Sequence, residues 1–362
     1  DGIIAYNPVT KKLDYSGVGE MTMALQYFHA KACVHYQCPW RACTTTTSAG
    51  QAREVRCHDT KMWRFPEGMS LGNTHGCVCV DKAGRVYFNT DQEHAIVVVA
   101  PDGEVERTFG KEWRGGLHGM ALVEEDGEEF LYIAHTGRHC AAKLTLDGDV
   151  VWTLPWPEES GKYQNEGQYR PTGIAVAPDG SIFVADGYGQ SWVHRYGNDR
   201  SYLGSFGGPG TEPGKMRTPH GLVMETVAGV SYLVVCDREN RRLQRFDLGG
   251  GLVRAEDAAL ERPCNAVFSA GILAVAELRG RVTLLGLDEQ GRRRVLAHLA
   301  EQPDPGKRAQ NGVPVDAWRP GEFLSTTTER LPPSKRGRRL ASPPPRGRYG
   351  SRRSPVPSGC RT

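Results

Sequence analysis

Residues 170–197 read RPTGIAVAPDGSIFVADGYGQSWVHRYG and residues 217–246 read RTPHGLVMETVAGVSYLVVCDRENRRLQRF, with the glycine-rich spacer SFGGPGTEPGKM at 205–216 between them. Both halves follow one formula: a proline-led entry, an alternating apolar run, a turn, a second β-rich run ending in Asp, a polar turn, and a third strand rich in Arg and aromatics. Alternation with period two marks a half-buried strand, and PDG and DGYG supply the turn chemistry. One structural unit is written twice.

The unit recurs outside this stretch. It appears as NTHGCVCVDKAGRVYFNTDQEHAIVVVAPDGEVERTFG (73–110), as GLHGMALVEEDGEEFLYIAHTGRHCAAKLTLDGDVVWTL (116–154) and, more weakly, as RPCNAVFSAGILAVAELRGRVTLLGLDEQGRRRVLAHL (262–299). Anchoring on the innermost glycine or its equivalent gives Gly76, Gly119, Gly173, Gly221 and Ala266, spaced 43, 54, 48 and 45 residues apart. Four short strands at this period specify an all-β fold, the β-propeller. Five units are legible, and closing the ring from the chain ends predicts a six-bladed propeller over 66–325. Residues 1–65 read as an irregular segment that could supply a partial blade. Residues 326–362, rich in Arg, Pro and Ser with few apolar side chains, read as a disordered tail.

With 39% hydrophobic and 24% charged residues, the 362-residue chain has the composition of a globular protein. No apolar run reaches the ~20 residues that cross a bilayer as a helix. The net charge of +3 conceals an asymmetry: nine Lys and Arg fall in 331–362, which has no acid, so the body is mildly acidic. Nucleic-acid binding by the folded part therefore has little compositional support, and binding through the tail ranks last among the functional readings. Among the ten cysteines, Cys33, Cys38, Cys43 and Cys57 lack the paired C-x-x-C spacing of a structural zinc site. Cys77 and Cys79 share one strand face, a packing choice more than a redox pair.

The motifs QYRPTGIAVAPDGSIFVADGYGQSWVHRY, GTEPGKMRTPHGL and CDRENRRLQRF resemble those of the NHL-repeat propellers, and within that family they are most similar to peptidyl-α-hydroxyglycine α-amidating lyase and its bacterial homologues, over roughly residues 73–300. The resemblance implies a channel zinc held by three histidines from alternate blades, with calcium as a further metal. It also implies a tyrosine and arginines that break the hydroxyglycine C–N bond to give an amide and glyoxylate. Carried over by motif, His118 in GLHGM and His220 in TPHGL take two zinc positions, Tyr188 sits in the DGYG turn, and Arg238 in DRENRR. The third histidine should fall near Phe323–Thr328, where the chain reads FLSTTT, and a second arginine is replaced around Thr90. An extracellular or periplasmic location is implied as well. No signal peptide is visible before Asp1, whether because one was removed or because the sequence is a fragment.

Geometry leads to the same residues without the family. Positions that open the innermost strands line the channel, so His75, His118, His220 and the Pro171–Thr172 pair converge on one axis. Neutral imidazoles there suit zinc, with His75 able to serve as a third ligand only by tilting across the channel. The alternative for each histidine is a hydrogen-bonded channel-mouth residue without metal. For Tyr188 the alternatives are proton transfer or packing over a blade. Arg238 either clamps a substrate carboxylate or braces its turn against Asp237 and Glu239. Asp186 and Asp237 end equivalent strands and read as structural caps of the turns that follow. Two functions remain open: a metal-dependent lyase acting on a small-molecule or peptide substrate, and a non-catalytic platform that binds a protein, peptide or carbohydrate on the propeller face.

Overall fold

In the computed structural model, the described residues are 65–299, apart from short gaps at 67–68, 70–73, 76, 257–258, 270, 279–280 and 289, together with four short strands nearer the start. Those strands form two hairpins, β1 (Ala5–Asn7) with β2 (Lys12–Asp14) and β3 (Cys43–Thr46) with β4 (Ala52–Val55), where the sequence reads as irregular. The tail at 326–362 lies outside the described residues.

Five four-stranded antiparallel sheets follow. The first blade is β5 (Val78–Val80), β6 (Val86–Asn89), β7 (Ile96–Val99) and β8 (Val105–Phe109). The second is β9 (Leu117–Glu125), β10 (Glu128–His135), β11 (Cys140–Thr145) and β12 (Val150–Leu154). The third is β13 (Gly173–Val176), β14 (Ile182–Ala185), β15 (Trp192–Tyr196) and β16 (Tyr202–Gly207). The fourth is β17 (Pro219–Val227), β18 (Val230–Asp237), β19 (Arg242–Phe246) and β20 (Leu252–Glu256). The fifth is β21 (Pro263–Ser269), β22 (Ile272–Glu277), β23 (Arg281–Leu287) and β24 (Arg293–Leu299). The fold is thus an all-β propeller, but the expectation of six blades is corrected to five among the described residues. The stretch after Leu299, where the spacing predicts a sixth to begin, lies outside them. No described helix is long and apolar enough to cross a membrane.

The core lies between blades because strand alternation gives each sheet two apolar faces. On β10, Leu131 and Ile133 pack with Tyr87 and Val98 of the first blade, while Tyr132 and Ala134 point the other way, onto Ile174 and Val184 of the third. The same exchange repeats between Phe183 and Val235, and between Val234 and Val275. Each of the Leu, Ile, Val and Phe side chains among these contributes about 1.5–3 kcal/mol.

The innermost strands touch one another in sequence: β5 with β9, β9 with β13, β13 with β17, and β17 with β21. Glycine makes the approach close enough. A Cβ on Gly119 would lie 2.8 Å from the Gly173 Cα, one on Gly173 2.7 Å from the His220 carbonyl oxygen, and one on Gly221 2.6 Å from that of Cys264. Pairing of Pro219 with Asp237 and of Pro263 with Glu277 aligns Gly221 with Asn265, so the fifth anchor shifts from Ala266 to Asn265. Cys264 consequently stands where the fourth blade carries His220.

Blades 4 and 5 are also joined by buried charge. Glu225 on β17 takes ion pairs from Arg245 on β19 (2.9 Å) and Arg293 on β24 (2.6 Å), and Arg293 also reaches Glu256 on β20 (3.0 Å). The side chains of Glu225 and Arg293 have no exposed surface.

Replacing Gly173 by Ala forces backbone apart at a close inter-blade contact, 2.7 Å from the added Cβ to the His220 carbonyl oxygen. The expected loss is about 1–3 kcal/mol, typical of over-packing. An unchanged urea midpoint for Gly173→Ala would show that the inner strands have room to spare.

Candidate functional site

The residue before each inner-strand anchor faces the channel. His75, His118, Thr172, His220 and Cys264, one from each blade, line a solvent-open space of ≈ 280 Å³. Of the residues expected from the sequence, His75, His118 and His220 lie on this lining, and Tyr188 and Arg238 join it through hydrogen bonds. The His118 ring stacks on His75 (centroids 4.7 Å, 27° between planes) and meets His220 edge-on at 4.7 Å.

Both buried imidazoles are oriented by the next blade. His118 Nδ1 lies 3.0 Å from the Thr172 carbonyl oxygen and His220 Nδ1 2.8 Å from that of Cys264. A carbonyl only accepts, so each Nδ1 carries the proton and each Nε2 presents a lone pair. Those lone pairs converge on one oxygen: the Tyr188 hydroxyl is 3.2 Å from His118 Nε2 and 3.1 Å from His220 Nε2. Arg238 Nη1 donates to the same oxygen at 3.1 Å, and its guanidinium carbon is 5.3 Å from the Tyr188 ring centre. One phenolic proton serves only one of the two lone pairs. The other faces an oxygen that has no hydrogen left to give it.

Electrostatics keep the pair neutral. Burial pushes His118 down to about 3, with His75 beside it acting in the same direction. Burial, then His118 and Arg238, hold His220 well below the usual imidazole value. Burial alone would lower Arg238, but Tyr188, Cys264 and Glu239 together outweigh it and hold the guanidinium above its ordinary value. Arg238 does not pair with Asp237. It meets Glu239 (3.0 Å), whose other carboxylate oxygen is taken by Arg262 (2.7 Å), while Asp237 is held by Arg242 (2.8 Å).

The donor set suits a metal in part. Two unprotonated imidazoles, each with its far nitrogen fixed by a backbone carbonyl, have the outer-shell arrangement of metal ligands. Among the described residues, however, no group of three His, Cys, Asp or Glu is disposed to hold an ion, and His75 lies stacked rather than converging. The place of the missing third histidine, 323–328, falls outside the described residues. Thr90, at the position of the second arginine, closes its own turn through the His94 carbonyl (2.8 Å) and is not offered to the channel. The sequence reading overlooked Cys264 in the channel ring and the carbonyls of Thr172 and Cys264. Setting PCNA beneath PHGL by its proline identifies the first. Nothing in the side-chain pattern announces a backbone acceptor.

No family model matches the chain. Over 188 residues, 48% of this chain and 52% of the relative, it is 29% identical to human (Homo sapiens) NHL repeat-containing protein 3. The chain is similar in sequence to NHL-repeat propeller proteins. The chain is also 24% identical over 199 residues to the Caenorhabditis elegans protein named "Probable peptidyl-alpha-hydroxyglycine alpha-amidating lyase pgal-1", covering 50% of this chain and 55% of that one. It spans about half the length of these curated relatives. Among solved structures, virginiamycin B lyase from Staphylococcus aureus superposes with a TM-score of 0.49 at 13% identity, over 73% of this chain and 78% of that one.

His135 and His194 are likewise held neutral by burial, at about 4 and about 3. Below the unfolded imidazole value near 6.5, the unfolded chain takes up protons that the native histidines refuse, so stability falls as pH falls. Each histidine contributes about 1.4 kcal/mol per pH unit in that range. Asp186, raised by burial to about 6, opposes this in part, since its native form binds a proton before the unfolded one does. Urea midpoints between pH 7.5 and 5 should therefore drop steeply for the unaltered chain and less steeply for His118→Gln/His220→Gln. Equal slopes would show that these imidazoles are protonated in the native state.

Proposed function

We propose that this propeller cleaves the C–N bond of an α-hydroxyglycine-type substrate in its channel, releasing an amide and glyoxylate. The observation that carries the reading is the convergence of His118 Nε2, His220 Nε2 and Arg238 Nη1 on the Tyr188 hydroxyl oxygen. The similarity to an amidating lyase by name supports it from a separate direction.

The substrate is a carbinolamide whose hydroxyl and amide nitrogen share one carbon. In this reading Tyr188 is the base that takes the hydroxyl proton. The O–H electron pair forms the aldehyde C=O, the C–N pair leaves with nitrogen, and the same proton returns to that nitrogen, so the balance closes without an oxidant. Arg238 donates to the Tyr188 oxygen, and in this reading its guanidinium also meets a substrate carboxylate. His118 and His220 would hold a divalent metal, zinc by the family resemblance, which supplies Lewis acidity toward a substrate oxygen. His75 stands ready only as a neighbour to that pair. Calcium and a secreted or periplasmic location accompany this reading by resemblance alone.

A second reading, a platform that binds a peptide, protein or carbohydrate without chemistry, is supported by the absence of a three-ligand group among the described residues. Elemental analysis and glyoxylate release from an α-hydroxyglycine-capped peptide separate the two. The lyase reading expects about one zinc per chain, lost in His118→Ala/His220→Ala. It also expects Tyr188→Phe to keep its metal while kcat falls about 10²–10⁴-fold, the usual weight of acid–base catalysis. Folded, zinc-supplemented protein that releases no glyoxylate would leave the platform.

A further inference from the structure

The third and fourth blades are two copies of one repeat, and they secure equivalent carboxylates in different ways. Asp237 pairs directly with Arg242 across the strands and accepts from the Arg217 N–H (2.7 Å), Asn240 Nδ2 (2.8 Å), Arg242 Nε (2.8 Å) and Gln244 Nε2 (3.0 Å). A cation and two amides from its own blade surround it.

In the third blade the Arg242 position is Trp192 and the Gln244 position is His194. The turn is also longer: residues 187–191 separate Asp186 from Trp192, whereas 238–241 separate Asp237 from Arg242. That longer turn carries Tyr188. Among the described residues no Lys or Arg side chain pairs with the fully buried Asp186. Its carboxylate accepts the Gln190 N–H (2.6 Å) from within Tyr188's turn and the N–H (2.7 Å) of Arg170, whose carbonyl takes the Tyr188 N–H (3.2 Å), and a Cβ on Gly189 would overlap it. The turn is folded over this carboxylate.

What replaces Arg242 comes from elsewhere in the chain. Tyr163, in the connection between β12 and β13, places its hydroxyl 2.8 Å from Asp186 Oδ2 and 2.6 Å from His194 Nε2. The single phenolic proton must go to the carboxylate, which has none to give. His194 Nε2–H then donates to the Tyr163 oxygen, which leaves Nδ1 the bare nitrogen, and that buried Nδ1 has no hydrogen-bond partner among the described residues. Donation converges on Asp186 from two directions: from His194 through Tyr163, and from the Arg170 and Gln190 amides that fix Tyr188's turn.

We infer that Tyr163 is a positioning residue for Tyr188, acting through Asp186 in place of the arginine that the sister repeat uses. Its effect on turnover rests on the lyase reading; its effect on the Tyr188 turn does not. Tyr163→Phe keeps the ring that packs with Trp156 and Tyr169 and removes only the hydroxyl.

The test is 19F NMR of full-length protein carrying 3-fluorotyrosine at position 188, with glyoxylate release measured in parallel. Tyr163→Phe should shift and broaden the Tyr188 resonance, and lower kcat about 10²-fold with little change in KM, as a misplacement of order 1 Å does. His194→Gln, whose amide N–H can donate to the same oxygen, should retain the resonance of the unaltered chain. A sharp, unmoved resonance in folded Tyr163→Phe, or one displaced only in His194→Gln, overturns the inference. If no form of the protein releases glyoxylate, the lyase reading fails while the resonance still decides the role of Tyr163.

Discussion

The close approach of the inner strands governs what lies on the axis. With glycine at 119, 173 and 221, backbone of one blade rests on backbone of the next, and the preceding residue of each is carried toward the channel. The same proximity puts the Thr172 and Cys264 carbonyls within reach of the imidazoles one blade earlier. The glycines therefore determine indirectly which nitrogen of His118 and His220 bears the proton. A side chain at any of these positions would move the acceptor as well as the strand.

Neutral imidazoles with a shared target are costly to assemble. Each gives up its hydration, and the proton count leaves one lone pair facing oxygen. The surrounding sheets offset this with inter-blade apolar contact over their full faces. Strain of this kind, concentrated where chemistry is expected and supported by a regular scaffold, is the ordinary division of labour between a fold and a site.

Much of the architecture was legible because propeller strands obey a short-range rule. Alternation, PDG turns and the recurring glycine sufficed to mark the blades from Val78 to Leu299, and P-H-G and D-G-Y marked residues that do meet. Two aspects were not legible. The fifth anchor slipped by one residue because Asn265 fills the glycine position and Ala266 looked more like it. The link from Tyr163 to Asp186 joins a connecting segment to a strand end, with no periodicity to signal it, and becomes visible only when Asp186 is compared with Asp237 in space. The ring's closure depended on stretches with no period at all, which is why six blades were expected and five are described.

The buried charges of Glu225, Arg245, Glu256 and Arg293 make the seam between blades 4 and 5 chemically unlike the others. Hydration of ions becomes less favourable on heating, so the desolvation penalty of such a cluster shrinks while the gain from burying hydrocarbon levels off. Warming should thus redistribute cohesion around the propeller, with the buried ionic seam holding while the seams between blades 1 and 2 or 2 and 3, whose ion pairs are exposed or lacking among the described residues, open first. Hydrogen exchange at rising temperature would locate that order, and earliest exchange along β21 would contradict it. The weakest seam of this protein is then a property of the thermometer as much as of the sequence.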